Sequence, residues 1–248
     1  MPRPEKKPDI SFFVIGAARC GTTSVYSYLA QHPRVAIPTI KEPRFFTKNW
    51  KRGWDWYAGV YEHGGPGEIA GDFSPGYSNM SKKDKPARRI AKFYPDAKIV
   101  YLVRNPIDCA LSNWRMSAQN DSAPPFAECL DSHTAVYHRS LFWKQIGHYR
   151  EYFPDQQILV LPLEKVIEDP EANGRRITDF LGIDPAPHPF PHKNKSADKS
   201  ARPDKPEVDM ESRKRFLELV KPGAERILDY AGYPGLWEMT PTYYGWDK

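Results

Sequence analysis

The sequence predicts an α/β domain built on a central, mostly parallel sheet flanked by helices. Two apolar runs, each leading directly into a turn and a helix, carry that prediction. Residues 12–16 and 97–103 are short and rich in β-branched and aromatic side chains, as strands covered on both faces are. Behind each come turn-forming residues and then a helical pattern. Strands alternating with helices in this way pair in parallel through crossover connections. A chain of 248 residues suffices for one domain with a full core. Residues 1–10, polar and proline-rich, read as a flexible N-terminus, and 11–248 as the domain.

The first strand ends at Gly16, and the segment behind Gly21 carries Val25, Tyr28 and Leu29 at helical spacing. Between them lie Ala17, Ala18, Arg19, Cys20, Gly21, Thr22, Thr23 and Ser24. Glycine allows the tight turn, and the first amides of a helix have no partner within it. Those amides face whatever sits above the loop, and the helix dipole favours an anion there. This is a P-loop-like phosphate cradle. Gly16 and Gly21 keep the spacing of G-x-x-x-x-G-K-[ST], but the lysine position is Thr22, which argues against a kinase or NTPase. The loop's cation is Arg19, which suits an anionic leaving group held without a metal. A plain glycine turn of an α/β protein is the competing reading of these residues alone.

His32-Pro33 ends the first helix. The stretch Lys41-Glu42-Pro43-Arg44-Phe45-Phe46 comes next, then Trp50, Trp54, Trp56, Tyr57 and Tyr61 among Lys48, Lys51 and Arg52. Flat rings beside cations suit a polar, ring-shaped acceptor, and equally suit core packing. Glu42, between a lysine and a proline, is a candidate general base. Residues 67–77 read as a strand and turn. Asp84 then caps a helix that has Pro86 in its first turn and runs to Tyr94. The basic residues of 81–98 fit a solvated helix face.

After the second apolar strand, Arg104 stands at its carboxyl end, Asn105 caps the next helix, Pro106 opens it and Ser112 lies two turns in. Ligands of open α/β sheets bind at the carboxyl ends of strands. Arg104 and the loop after Gly16 therefore share one crevice, and a second phosphate is the natural partner of Arg104. Further on, 137–153 reads as a helix and 157–161 as a strand. A long amphipathic helix spans 208–231 with Phe216, Leu219, Val220, Ile227 and Leu228 inward, broken or kinked at Pro222-Gly223. The tail holds Trp237, Tyr243, Tyr244 and Trp246. It is too aromatic to be free, and fits the core, an acceptor cleft or a second subunit.

A net charge of +5 hints at anionic ligands and is too mild for nucleic acid. No apolar run of membrane length and no secretory signal pattern appears, and Cys20, Cys109 and Cys129 show no metal spacing. The reading is a cytoplasmic protein without a metal. Cys20 sits at a helix N-terminus, a place that lowers thiol pKa values. A Cys-x5-Arg phosphatase loop is excluded because the arginine position is Tyr26. A small residue that fits the loop is the preferred account of Cys20.

The stretches FFVIGAARCGTTSVYSYLAQHP and AKIVYLVRNPIDCALSNW resemble the two phosphosulfate-binding signatures of the PAPS-dependent sulfotransferases. PAPS is 3′-phosphoadenosine 5′-phosphosulfate. KEPRFF, RGWDWY and GDFSPGY are similar to the glycan-modifying, heparan sulfate sulfotransferase-like branch, and the likeness covers roughly 11–203. The resemblance implies that Cys20, Gly21, Thr22, Thr23 and Ser24 hold the 5′-phosphosulfate. Arg19 stands where the family has its catalytic cation, usually lysine, and it scarcely deprotonates. Arg104 and Ser112 match the 3′-phosphate ligands, and Glu42 matches the general base. Lys195 and Arg202, in a loosely matched covering loop, are assigned to the cofactor phosphates, with ordinary solvated charges as the alternative. Phe73 follows Asp72 where the branch usually has lysine. The resemblance thus implies transfer of a sulfuryl group from PAPS, without a metal, to a hydroxyl or amine of a carbohydrate or glycoside. A small-molecule alcohol or phenol is the second acceptor class. A nucleotide-binding protein without turnover is the rival that Arg19 and Phe73 bring in.

Overall fold

The computed structural model describes residues 7–61, 67–79, 84–118, 124–191 and 206–247. Five strands, β1 (Phe12–Gly16), β2 (Val35–Ala36), β3 (Ile69–Phe73), β4 (Lys98–Val103) and β5 (Ile158–Pro162), form one sheet in the order β2-β3-β1-β4-β5. Every pairing is parallel. β1 is buried along its whole length, which its unbroken apolar sequence requires. From β1 the chain moves to β2 and β3 on one side and returns to β4 and β5 on the other. The carboxyl end of β1 is therefore the switch point of the sheet, where open α/β folds place their ligands.

The helices are α1 (Thr22–Leu29), α2 (Gly53–Gly59), α3 (Lys85–Phe93), α4 (Pro106–Ala118), α5 (Phe126–Cys129), α6 (Ala135–Arg139), α7 (Phe142–Arg150), α8 (Leu163–Glu168), α9 (Pro170–Leu181) and α10 (Met210–Ala231). α10 packs on α7 and β5, and α9 on α8 and β5. α1 buries Val25, Tyr28 and Leu29 as its spacing predicts. The fold is the single α/β domain with a central parallel sheet that the sequence predicts.

Local departures have local causes. The helix expected over 137–153 is two helices, α6 and α7. The Ser140 hydroxyl bonds back to the Val136 carbonyl, and Leu141 leaves the helical region at ψ 58°. α10 runs unbroken through Pro222, because Pro222 and Glu218, whose carbonyl loses its partner, both lie on the exposed side. Leu219 is 41% exposed, and Leu217 takes the inward place assigned to it. Asp84 precedes α3 without capping it; its carboxylate accepts from Tyr152 OH and pairs with Arg88. At the N-terminus, Lys7 donates to the Phe93 carbonyl, Tyr94 OH donates to the Pro8 carbonyl, and Ile10 is buried. The aromatic tail packs on the core: Trp246 lies edge-on to Phe216, and Trp237 lies against Phe142.

Candidate active site

The crevice at the carboxyl ends of β1 and β4 brings two distant stretches together. Leaving β1, the chain turns so tightly that the Ala17 amide bonds the Leu102 carbonyl of β4 at 2.6 Å. A side chain at Gly16 would put its Cβ 2.3 Å from Ser78 Oγ, so this close approach needs glycine. Gly21, at φ 92°, opens α1, and a Cβ there would lie 2.6 Å from Leu163 Cδ1. Gly21 is the N-cap of α1 and Thr22 and Thr23 are its first two residues, so their amides have no carbonyl partner within the helix, as a phosphate cradle requires. Arg19 donates from Nε to Ser112 Oγ at 2.9 Å, across 93 residues of sequence. Arg104 follows the last residue of β4, its Nη2 4.0 Å from Asp108 Oδ2 in the first turn of α4. Arg19 and Ser112 thus join the loop to α4.

The start of α4 is fixed from three directions. Asn105 Oδ1 accepts from the Ile107 amide, which is the expected cap, and its own amide donates to Glu164 Oε1. Glu164 Oε2 accepts from Trp237 Nε1, and Asn105 Nδ2 donates to the Glu238 carbonyl. Glu164 is a part of this wall that sequence reasoning missed, and the tail, for which three places were open, packs against it. Tyr243 OH, donating to Asp108 Oδ2, belongs to it too.

Cys20 and Cys109 lie side by side beneath the loop, Sγ to Sγ 3.8 Å, both buried. Burial pushes the Cys20 thiol well up, against the lowering expected of a helix N-terminus. The hydrogen bond from Cys20 draws Cys109 down. Cys20 is a packing residue of the loop.

The opposite wall is the segment 41–46. Lys41 Nζ donates to Thr23 Oγ1 at 3.1 Å and lies over the Tyr26 ring, which ties this segment to the phosphate loop. Glu42 and Arg44 both take left-handed φ values, 60° and 49°. Arg44 Nε donates to Glu42 Oε2 at 2.8 Å, and Nη2 pairs with the same oxygen. Among the described residues, Arg19, Glu42 and Arg44 are the non-glycine residues with positive φ, and all three border this crevice. Such backbone outliers gather at functional sites, where the surroundings hold them in place.

Asp72, at the end of β3, is completely buried and accepts from Tyr57 OH, Tyr77 OH and Ser74 Oγ. Burial pushes its carboxyl up to about 6 in spite of those three donors. Phe73 packs edge-on against Phe12 and Tyr26, so the expected lysine position is apolar. Lys41, on the other side of Tyr26, brings a cation to this corner from a different part of the chain. Lys41 and Arg44 flank Glu42 in sequence, and that adjacency was the available signal for both. For Asp72 the signal was an acidic residue closing a buried strand.

The aromatic stretch is used for packing. Phe45 stacks on Tyr57 at 4.2 Å, Trp50 and Trp54 meet edge-on, and Arg89 and Arg52 cover Trp50 and Trp56. These cations are thus held on rings, and Arg89 also donates to the Phe46 carbonyl, which corrects the view of 81–98 as a purely solvated face. Lys195 and Arg202 lie outside the described residues. A depression of about 350 Å³ lies at the amino ends of the strands, lined by Ser11, Ile69 and Lys98, away from this crevice. Among the described residues no cluster of His, Cys, Asp or Glu fits a metal, and no helix is long and apolar enough to cross a membrane.

The family model described as "Sulfotransferase domain" matches residues 9–203. The chain belongs to the sulfotransferase family. This sulfotransferase is 26% identical to human heparan sulfate glucosamine 3-O-sulfotransferase 3B1 over 262 residues, covering 94% of the chain and 64% of that protein. It is 28% identical to human bifunctional heparan sulfate N-deacetylase/N-sulfotransferase 3, over 75% of the chain and 23% of that protein. It thus spans less than two thirds of these relatives, and the resemblance to the heparan sulfate branch holds. Among solved structures, a sulfotransferase from Alicyclobacillus acidocaldarius superposes with a TM-score of 0.73 at 26% identity, covering 91% of this chain and 97% of that one. The sulfotransferase domain of the Synechococcus PCC 7002 olefin synthase, at 18% identity and TM-score 0.54, shares the fold.

Proposed function

We propose that this sulfotransferase moves a sulfuryl group from PAPS to a hydroxyl of a carbohydrate or glycoside, with Glu42 as general base. The observation that carries the reading is the hydrogen bond from Arg19 to Ser112, which joins a loop fit for a 5′-phosphosulfate to a helix start that presents Arg104. PAPS carries phosphate at both the 3′ and 5′ positions. The donor set fits such a ligand: free helix amides, the Thr22, Thr23 and Ser24 hydroxyls, and the cations Arg19, Lys41 and Arg104.

In the reaction the acceptor oxygen bonds to sulfur as the sulfur–phosphate oxygen bond breaks, and adenosine 3′,5′-bisphosphate leaves. Charge moves from one oxygen to another along a line, so positioning and fixed positive groups do most of the work. Arg19 and the loop amides face the leaving phosphate. Arg19 acts as a fixed charge, since guanidinium does not give up its proton. Glu42 Oε2 is engaged by Arg44, which leaves Oε1 to take the proton of the acceptor hydroxyl. The glycan acceptor is supported by the named heparan sulfate relatives; the aromatic stretch, packed inward, supports it less.

The test is transfer of labelled sulfate from PAPS to heparan sulfate oligosaccharides, with simple phenols in parallel. Label on the sugar supports the reading. Label on phenol alone replaces the acceptor class, and label on neither removes the activity as stated.

A further inference from the structure

Two of the three hydroxyls that converge on Asp72 also hold the backbone behind Glu42. Ser74 Oγ donates to Asp72 Oδ1 at 2.6 Å and accepts from the Arg44 amide at 2.9 Å. Tyr77 OH donates to Asp72 Oδ2 at 2.8 Å and accepts from the Phe46 amide at 3.2 Å. Tyr57 OH completes the set at 2.8 Å. A hydroxyl has one proton and two lone pairs. With each proton committed to the carboxylate, the lone pairs of Ser74 and Tyr77 are turned toward the two amides.

The segment needs such a clamp. Left-handed conformations such as those at Glu42 and Arg44 are disfavoured for residues bearing a Cβ, and persist where surrounding contacts impose them. Asp72, for its part, is expensive to bury. Among the described residues no lysine or arginine pairs with it, and an unpaired buried carboxylate is strongly disfavoured. Packing of β3 alone does not call for a charge at this position.

We infer that Asp72 is a positioning residue for sulfuryl transfer: through Ser74 and Tyr77 it fixes the backbone at 44 and 46, and so the place of the Glu42 carboxylate. The inference rests on the reading of Glu42 as the base. It also predicts a pH response. The titratable groups around Asp72 are Glu42, whose charge raises the carboxyl, and Tyr57, Tyr61, Tyr77, Tyr94 and Tyr149, all held neutral by burial. When Asp72 takes a proton it must itself donate, so one hydroxyl loses its acceptor and turns, and the clamp loosens.

The experiment uses the full chain as wild type, Asp72→Asn and Ser74→Ala. Hydrogen exchange is read on the peptide over 42–46 and on β1, and initial rates are taken with PAPS and heparan sulfate oligosaccharide from pH 5 to 8. Loss of one hydrogen bond corresponds to roughly tenfold, so exchange at 42–46 should speed by about that factor in both variants while β1 stays protected. The turnover number should fall about tenfold with the KM for PAPS little changed, and the fall in wild-type rate near pH 6 should be altered in Asp72→Asn. Unchanged exchange at 42–46, or full turnover in both variants, overturns the inference. Should Asp72→Asn fail to fold, Ser74→Ala decides alone, because it removes the two hydrogen bonds of the Ser74 hydroxyl and no charge. A wild type silent toward the sugar defeats the proposed function, and the exchange measurement still judges the clamp.

Discussion

The two walls of the crevice are made differently. The phosphate wall is backbone: a glycine pressed against Ser78, an amide bonded across to β4, and the open end of α1. Its side chains, Arg19, Arg104 and Ser112, are added to a shape that the chain path already gives. The wall carrying Glu42 has no strand or helix beneath it from residue 41 to 46. It is held by side chains, with Lys41 on Thr23, Asn49 on the Pro43 carbonyl, and the Ser74 and Tyr77 hydroxyls on two amides. Binding an anion needs dipoles aimed at a region, which the end of a helix supplies. Removing one proton needs a carboxylate at one point, and that takes a network.

Variants that separate the walls sharpen this contrast. The largest effect is expected from Glu42→Gln, which keeps the shape and removes the base. Turnover should fall about 10²–10⁴-fold with binding of adenosine 3′,5′-bisphosphate unchanged, read by single-turnover kinetics beside calorimetry. Equal loss of binding would mean that the walls are one unit.

Gly21→Ala attacks the phosphate wall through its backbone. A Cβ at φ 92° and 2.6 Å from Leu163 should cost on the order of 1–3 kcal/mol in urea unfolding, together with nucleotide affinity. An unaffected affinity would show that the loop amides are not the cradle.

A pH comparison addresses the second wall. The Asp72 carboxyl stands at about 6 in the fold against an ordinary 3.8, so the favourable contribution is complete below pH 4 and lost as pH rises through 6. Ionising Asp72 therefore costs the folded state up to about 3 kcal/mol. Asp72→Asn should gain stability relative to wild type between pH 4.5 and 7.5, measured by urea midpoints. A difference that does not change with pH would contradict the raised carboxyl.

The smallest effect is expected of Lys41→Ala. Its one bond to the loop is exposed, so the KM for PAPS should rise about three- to tenfold, most at low salt. No change would leave Lys41 a bystander to both walls.

The same division explains what the sequence makes legible. Strand order aside, the sheet and the phosphate loop follow from Phe12–Gly16, Gly21 and the Arg104-Asn105-Pro106 start of α4, because local geometry decides them. The sequence marks Glu42 as a candidate base by its neighbours, but its ion pair with Arg44 was not legible, since it depends on two left-handed residues that no propensity suggests. The helix break at Ser140 and the straight passage through Pro222 were likewise decided by partners and exposure. The tail could have gone three ways in sequence, and Glu164 and Asp108, far upstream, chose the core.

The measurement closest to the central claim is the thermal shift of the full chain with adenosine 3′,5′-bisphosphate against ATP and magnesium. Ligand at a thousandfold its Kd adds about 4 kcal/mol to stability, a readily measured rise in Tm. Stabilisation by the bisphosphate, absent with ATP and magnesium and abolished in Arg104→Ala, is the predicted result. Stabilisation by ATP and magnesium alone would contradict the assignment of both the loop and Arg104.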